Sequence, residues 1–125
     1  MDMSEFKNEF VKEVKEHLNS VEGNIEKLQE GYSKDLLTEI KRGFHTLKGN
    51  SAAMGYQKFF ELSKALNDLT QKMMDDEGQF HDENVSLLKD GKDKLLYGLD
   101  YIINDEPEKF EEGEFIEKIN KNLDT

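Results

Sequence analysis

Of the three histidines in this chain, only His45 sits among residues that could make it reactive. The local sequence runs Lys41-Arg42-Gly43-Phe44-His45-Thr46-Leu47-Lys48-Gly49-Asn50-Ser51-Ala52-Ala53-Met54-Gly55-Tyr56. On a helix whose core face carries Ile40, Phe44 and Leu47, His45 lies about 100° round from Phe44, on the flank or solvent side. Lys48 and Gly49 follow one turn later on the same face. Helical side chains lean toward the N-terminus, so a side chain at position 49 would lie over the imidazole. Glycine there leaves the ring open to a bulky reactant, at a helix cost of roughly 1 kcal/mol relative to alanine. Lys48 supplies a compact positive charge where an incoming phosphoryl group would sit.

The charge around this histidine is opposite to that of the whole chain. Residues 41–72 contain Lys41, Arg42, Lys48, Lys58, Lys64 and Lys72 against only Glu61 and Asp68, while the chain carries a net charge of −11. A local positive field around one histidine suits phosphate handling. Two plainer readings compete with it. One takes the basic residues as ordinary partners of acidic neighbours; the other takes a surface histidine that stands near glycines by chance, with Gly43 serving only close helix packing.

Other chemistries leave no trace. Cysteine is absent, which removes disulfides, thiolate metal sites and thiol nucleophiles. Neither G-x-x-x-x-G-K-[ST] nor G-x-G-x-x-G occurs, so no nucleotide-binding loop is visible. Val14, Arg42 and Gly78 stand three residues before His17, His45 and His81, so the Glu-x-x-His pairs of two-metal bundles are missing. Glu13 and His17 lie one turn apart, but two ligands do not make a metal site. His81 falls in a turn. With 28 acidic against 17 basic residues, nucleic acid and anionic membrane surfaces are poor partners. No apolar run approaches the ~20 residues needed to span a bilayer, and the opening Met1-Asp2-Met3-Ser4-Glu5 is no secretory signal. The expected location is the cytoplasm.

The elements that must position His45 are helical throughout. Phe6, Phe10, Val14, Leu18, Val21, Ile25 and Leu28 recur every three or four residues, in a helix that Ser4 is expected to cap and Gly31-Tyr32 to end. Ser33 opens a second helix, with Leu36, Leu37, Ile40, Phe44 and Leu47, reaching about Ala53. A third, near 57–75, carries Phe59, Phe60, Leu62, Leu66, Leu69 and Met73, and Gly78 is expected to break it. Asp82 is expected to cap a fourth, with Val85, Leu88, Leu95, Leu99, Ile102 and Ile103, which Pro107 forbids from continuing. A short fifth holds Phe115, Ile116, Ile119 and Leu123. The expected fold is all-α: an antiparallel up-down four-helix bundle over about 4–104, an acidic linker over 105–114 and a fifth helix over about 115–123, within a single domain of 1–125.

At these residues the chain resembles a known family. H-T-L-K-G-N-S-A-A-M-G-Y is similar to the histidine phosphotransfer motif, H-x-x-K-G followed by a glycine that ends the helix. R-G-F-H-T-L-K-G-N-S-A-A-M-G-Y, the opening M-D-M-S-E-F and the extra helix resemble the N-terminal phosphotransfer domain of CheA-type chemotaxis histidine kinases. The resemblance implies that His45 is phosphorylated, that Lys48 is the phosphate-side lysine and that Gly49 gives access. In that family a glutamate on the third helix accepts a hydrogen bond from the reactive ring. Here the ungapped count places Asn67 there, with Lys64 one turn earlier at a position often held by histidine. The implied partners are a kinase ATP-binding domain and the receiver domains of response regulators. ATP and magnesium belong to those partners, and this domain binds no cofactor of its own. A free-standing phosphorelay protein and a helical adaptor with an incidental His45 remain the alternatives.

Overall fold

The computed structural model describes residues 2–108 and 111–123. Every regular element among them is helical: α1 (Met3–Leu28), α2 (Lys34–Met54), α3 (Gln57–Asp75), α4 (Asp82–Ile103) and α5 (Gly113–Leu123), with one 3-10 turn at Glu77–Gln79. α1 packs against α2 and α4, and α3 against the same two, so the contacts among these four helices close a ring. α5 lies on α3 and, less extensively, on α4. The periodic apolar residues meet in one core, with Val14, Leu37, Ile40, Phe44, Leu47, Phe59, Leu62, Leu66, Leu69, Met73, Leu88, Leu95 and Ile119 excluded from solvent. Phe6 is the exception in α1, at 44% exposure near the start of the helix.

The helix limits agree with the apolar period, while three end devices differ from expectation. Asp2, not Ser4, caps α1: its carboxylate accepts the Glu5 amide at 3.0 Å and the Ser4 hydroxyl at 2.9 Å. Those bonds hold the Asp2 carboxyl below its ordinary pKa, the Glu5 amide contributing most. His81, not Asp82, caps α4, a ring nitrogen accepting the Asn84 amide. α3 ends at Asp75, before Gly78, because Asp76 turns into extended backbone and its carboxylate accepts the Gly78 amide at 2.9 Å.

Serine 33 behaves as expected, accepting the Leu36 amide. α2 ends on Gly55 with a left-handed φ of 77°, and the Tyr56 amide returns to the Ser51 carbonyl at 3.0 Å. Only glycine adopts that φ without steric cost. α3 has no side-chain cap of its own. Glu108, far along the chain, accepts the Phe59 amide at 2.9 Å instead, and Lys58 meets Glu112 at 3.6 Å. Lys7 meets Asp105 at 2.8 Å and donates to the Ile103 carbonyl at 2.9 Å. The acidic link after α4 is thus tied to α1 and to the start of α3, although its positions 109 and 110 lie outside the described residues.

Candidate functional site

α2 presents two faces. Ile40, Phe44 and Leu47 are fully buried, and Ser51 joins them by returning its hydroxyl to the Leu47 carbonyl at 2.7 Å. His45 and Gly49 are exposed on the other side, with Lys48 half-buried between. A Cβ built on Gly49 would meet nothing within 4 Å, so no packing demand explains the glycine. Gly43 is different. A Cβ there would come to 2.8 Å from Val21 Cγ2, so this glycine lets α1 and α2 approach.

Only Gly55 and Tyr56 separate α2 from α3, and the two helices pack closely. Residues equally far from that turn lie at the same height along the pair, and His45 and Asn67 are within one residue of equal distance. Asn67 is 7% exposed, and its Oδ1 is sealed from solvent without a hydrogen-bond donor from the protein. No hydrogen bond joins it to His45 among the described residues. Ser63, one turn earlier, is also fully buried with an unpaired hydroxyl. Lys64 is exposed and meets Asp68 at 3.4 Å, which places Asp68 with the lysine instead of the histidine.

The basic residues divide evenly. Arg42 meets Glu39 at 2.6 Å, and Lys58 and Lys64 have the partners given above. Lys41, Lys48 and Lys72 have no carboxylate partner among the described residues. Ordinary pairing thus accounts for half of the local positive charge and leaves the Lys48 ammonium uncommitted beside His45.

The remaining histidines are placed elsewhere. His17 lines a groove of about 200 Å³ between α1 and α2, with Ser20, Glu39, Arg42, Gly43 and Thr46. Glu13, its neighbour on the helix, accepts a 2.9 Å hydrogen bond from Asn50. Among the described residues no three metal-ligating side chains converge.

One charged residue escaped the sequence reading. Lys92 is 3% exposed, with its ammonium 3.2 Å from Glu22 and 2.5 Å from Asp93. The signal was present: Lys92 falls on the apolar stripe of α4, four residues after Leu88 and three before Leu95. Asn84 was missed as well; fully buried, it donates to the Gln79 carbonyl at 2.7 Å and accepts from Asn122 at 2.8 Å.

Known proteins align with this picture. The Hpt domain model matches residues 5–97. Chemotaxis protein CheA of Halobacterium salinarum is 31% identical over 101 residues, which is 80% of this chain and 14% of that protein. CheA of Listeria monocytogenes is 34% identical over 65 residues, 51% of this chain and 10% of the relative. CheA of Bacillus subtilis is 29% identical over 96 residues, 76% of this chain and 14% of the relative. The chain therefore spans about a seventh or less of the length of these relatives. No helix among the described residues is long and apolar enough to cross a membrane. With its family match running from α1 into α4 and its H-x-x-K-G residues together on the outer side of α2, the chain belongs to the Hpt domain family.

Proposed function

We propose that this chain is the phosphotransfer domain of a chemotaxis histidine kinase, in which His45 takes a phosphoryl group from ATP held by a separate kinase domain and passes it to an aspartate of a receiver domain. One observation carries the reading. An exposed imidazole stands beside an open Gly49 and an uncommitted Lys48, at the level of a buried Asn67 oxygen on the neighbouring helix that lacks a donor. The ring of contacts among α1 to α4 is read as an antiparallel four-helix bundle, a rigid post that holds this face toward its partners.

The chemistry follows from the imidazole. To attack phosphorus, the outer ring nitrogen must carry its lone pair, so the proton must sit on the inner nitrogen. Asn67 Oδ1 is the acceptor that holds the proton there, and the inner N–H is the donor this oxygen lacks. As the new N–P bond forms, the bond from phosphorus to the bridging oxygen breaks and ADP leaves with the electron pair. The ring keeps its inner proton and becomes a phosphoimidazolium. The transition state is loose, so alignment and charge do most of the work. Lys48 meets the phosphoryl oxygens, Lys64 approaches from α3, and Gly49 leaves room for the donor domain and then for the receiver. The reverse attack by a receiver aspartate regenerates neutral His45. Magnesium and ATP belong to the partner domains, and dependence on ATP places the reaction in the cytoplasm.

The test is radiolabelled ATP with a chemotaxis kinase catalytic core, on wild type and His45→Gln. Wild type is expected to gain acid-labile, alkali-stable phosphate and the variant none, with helicity and melting nearly unchanged, since surface substitutions usually move stability by less than ~0.5 kcal/mol. Label that persists in the variant, or sits on His17 or His81, refutes the assignment.

A further inference from the structure

In the site proposed above, Lys48, Lys64 and Asn67 serve His45 from the α3 side. The opposite side, toward α1, holds another cation. Arg42 lies one turn before His45 on α2, at the lip of the groove lined by His17, Ser20, Glu39, Gly43 and Thr46. We propose that Arg42 is a further phosphoryl-binding residue, held by Glu39 while His45 is bare and transferred to the phosphoryl group once His45 carries one. The proposal rests on the reading of His45 as phosphoacceptor.

Three features support it. Side chains on a helix lean toward its N-terminus, so the His45 ring extends over the turn that contains Lys41 and Arg42. Residues three apart are neighbours on the helix surface, within the reach of an arginine. Arg42 therefore has two possible partners at the same spacing, Glu39 on one side and residue 45 on the other. Bare His45 offers no anion, and the guanidinium takes Glu39 at 2.6 Å.

That pair is also easy to exchange. The side chains are 66% and 53% exposed, so water screens the attraction and replaces either partner cheaply. A phosphoryl group carries close to two negative charges and three acceptor oxygens, and matches the guanidinium fork better than a single carboxylate does. The groove beside Arg42 gives the side chain space to turn. Phosphorylation would then do more than add charge. It would release the Glu39 carboxylate and change the charge pattern at the α1–α2 groove, a surface that a partner can read.

The chain itself can be tested with phosphoramidate, a small donor that needs no kinase. Its P–N bond breaks as the imidazole N–P bond forms, and ammonia leaves. Phosphorus NMR reports phosphohistidine, while nitrogen and carbon NMR follow the Arg42 guanidinium and the Glu39 carboxyl. Phosphorylation is expected to shift both side chains in opposite senses, the guanidinium becoming slower to exchange its protons and the carboxylate becoming free. Arg42→Gln is expected to slow uptake by about three- to tenfold and Glu39→Gln to speed it by about twofold, because a charge-assisted contact is removed in one and a competitor in the other. Arg42→Lys, which keeps the charge and loses the fork, is expected to fall between wild type and Arg42→Gln. Phosphohistidine that forms with the Arg42 and Glu39 signals unmoved overturns the exchange and leaves the His45 reading intact. Absence of phosphohistidine in the wild type overturns both.

Discussion

Two helices of the ring each carry a lysine beside a glycine in mid-helix, and the structure treats them in opposite ways. On α2, Lys48 is half-buried without a carboxylate partner, and Gly49 borders open space. On α4, Gly91 is buried where a Cβ would lie 2.7 Å from Leu66 Cδ1 and 3.0 Å from Cγ, and Lys92 is sealed between Glu22 and Asp93. The same two residue types stand open beside an imidazole in one place and serve packing in the other. What separates them is whether the neighbours satisfy them. α4 leaves neither space nor charge unused at this pair, whereas α2 leaves both available beside an exposed imidazole.

The widest gap between the two pairs is expected at Gly91. Gly91→Ala drives a methyl into Leu66, whose whole side chain is buried in the core and has to shift from its branch point onward. Overpacking of this kind costs typically ~1–3 kcal/mol, of which the better helix propensity of alanine returns up to ~1. Urea melts of Gly91→Ala at neutral pH measure the net loss. An unchanged or raised midpoint would show that α3 and α4 separate easily, and the contrast with α2 would disappear.

Residue type alone does not tell these pairs apart, because both glycines interrupt good helices; only the place of Lys92 on the apolar stripe of α4 separates it from Lys48. What was legible came from periodicity. The helices have the expected limits to within about two residues, since Phe44, Leu47, Leu62, Leu66 and Leu99 mark a continuous buried stripe. The solvent-side place of His45 and the open space at Gly49 were legible because both follow from the helical period about Ile40, Phe44 and Leu47. Less legible were features that depend on distant chain segments. Glu108 caps α3 from the far side of α4, and nothing near Tyr56 announces it. The caps at Asp2 and His81 fell one or two residues before the expected ones, because several side chains near a helix start compete for the same amides. Asn67 was identified by counting, but its shielded oxygen depends on how closely α2 and α3 pack.

Asn67 carries the next largest expected effect, and it sharpens what unsatisfied means on the α2 side. An asparagine oxygen can fix the ring tautomer, but it is a neutral acceptor and the weaker kind of partner. A carboxylate would also stabilise the positive ring that develops during attack. Asn67→Glu is expected to speed phosphorylation by up to about tenfold, ~1.4 kcal/mol, while Asn67→Ala slows it. Labelling gives the rate in the three proteins, and proton and nitrogen NMR of the ring shows which nitrogen carries the proton. Equal rates with the same tautomer in all three would leave the buried oxygen without a role at His45.

Smaller effects are expected at Gly49, where the two properties of the site oppose each other. Gly49→Ala should stabilise α2 by up to ~1 kcal/mol, because the position is helical and its surroundings are open. Gly49→Gln should also fold well, yet should slow phosphotransfer sharply by lying over the ring. Melting and labelling of the same preparations separate these effects. Undiminished transfer in Gly49→Gln would mean that the partners approach from another side.

The smallest effect at neutral pH is expected at Lys92, and its sign and pH dependence carry the argument. Burial disfavours the ammonium, but hydrogen bonds and charge from Asp93 and Glu22 outweigh that, so its pKa is raised above the ordinary value. Lys92 therefore contributes stability fully below the unfolded lysine pKa of about 10.4, and loses it as the pH rises through the higher folded value. Lys92→Met replaces the buried stem with apolar volume of similar length. It leaves two carboxylates that are about half-exposed, 52% and 55%, and that water can solvate. Breaking a fully buried pair is costly because one charge is stranded, whereas replacing its buried member by a well-packed apolar side chain is often neutral. The variant is expected within ~1 kcal/mol of wild type at pH 7. Wild type should then lose stability relative to Lys92→Met as the pH passes about 10.4, because only wild type has this proton to release. Urea midpoints for both proteins at pH 7, 9 and 11 would show it, the difference between them removing the titration of every other lysine and tyrosine. Parallel curves would mean that the Lys92 charge adds nothing to its packing. A large loss already at pH 7 would mean that Glu22 and Asp93 depend on the ammonium, and that the α1–α4 seam is held by charge as much as by its apolar stripe.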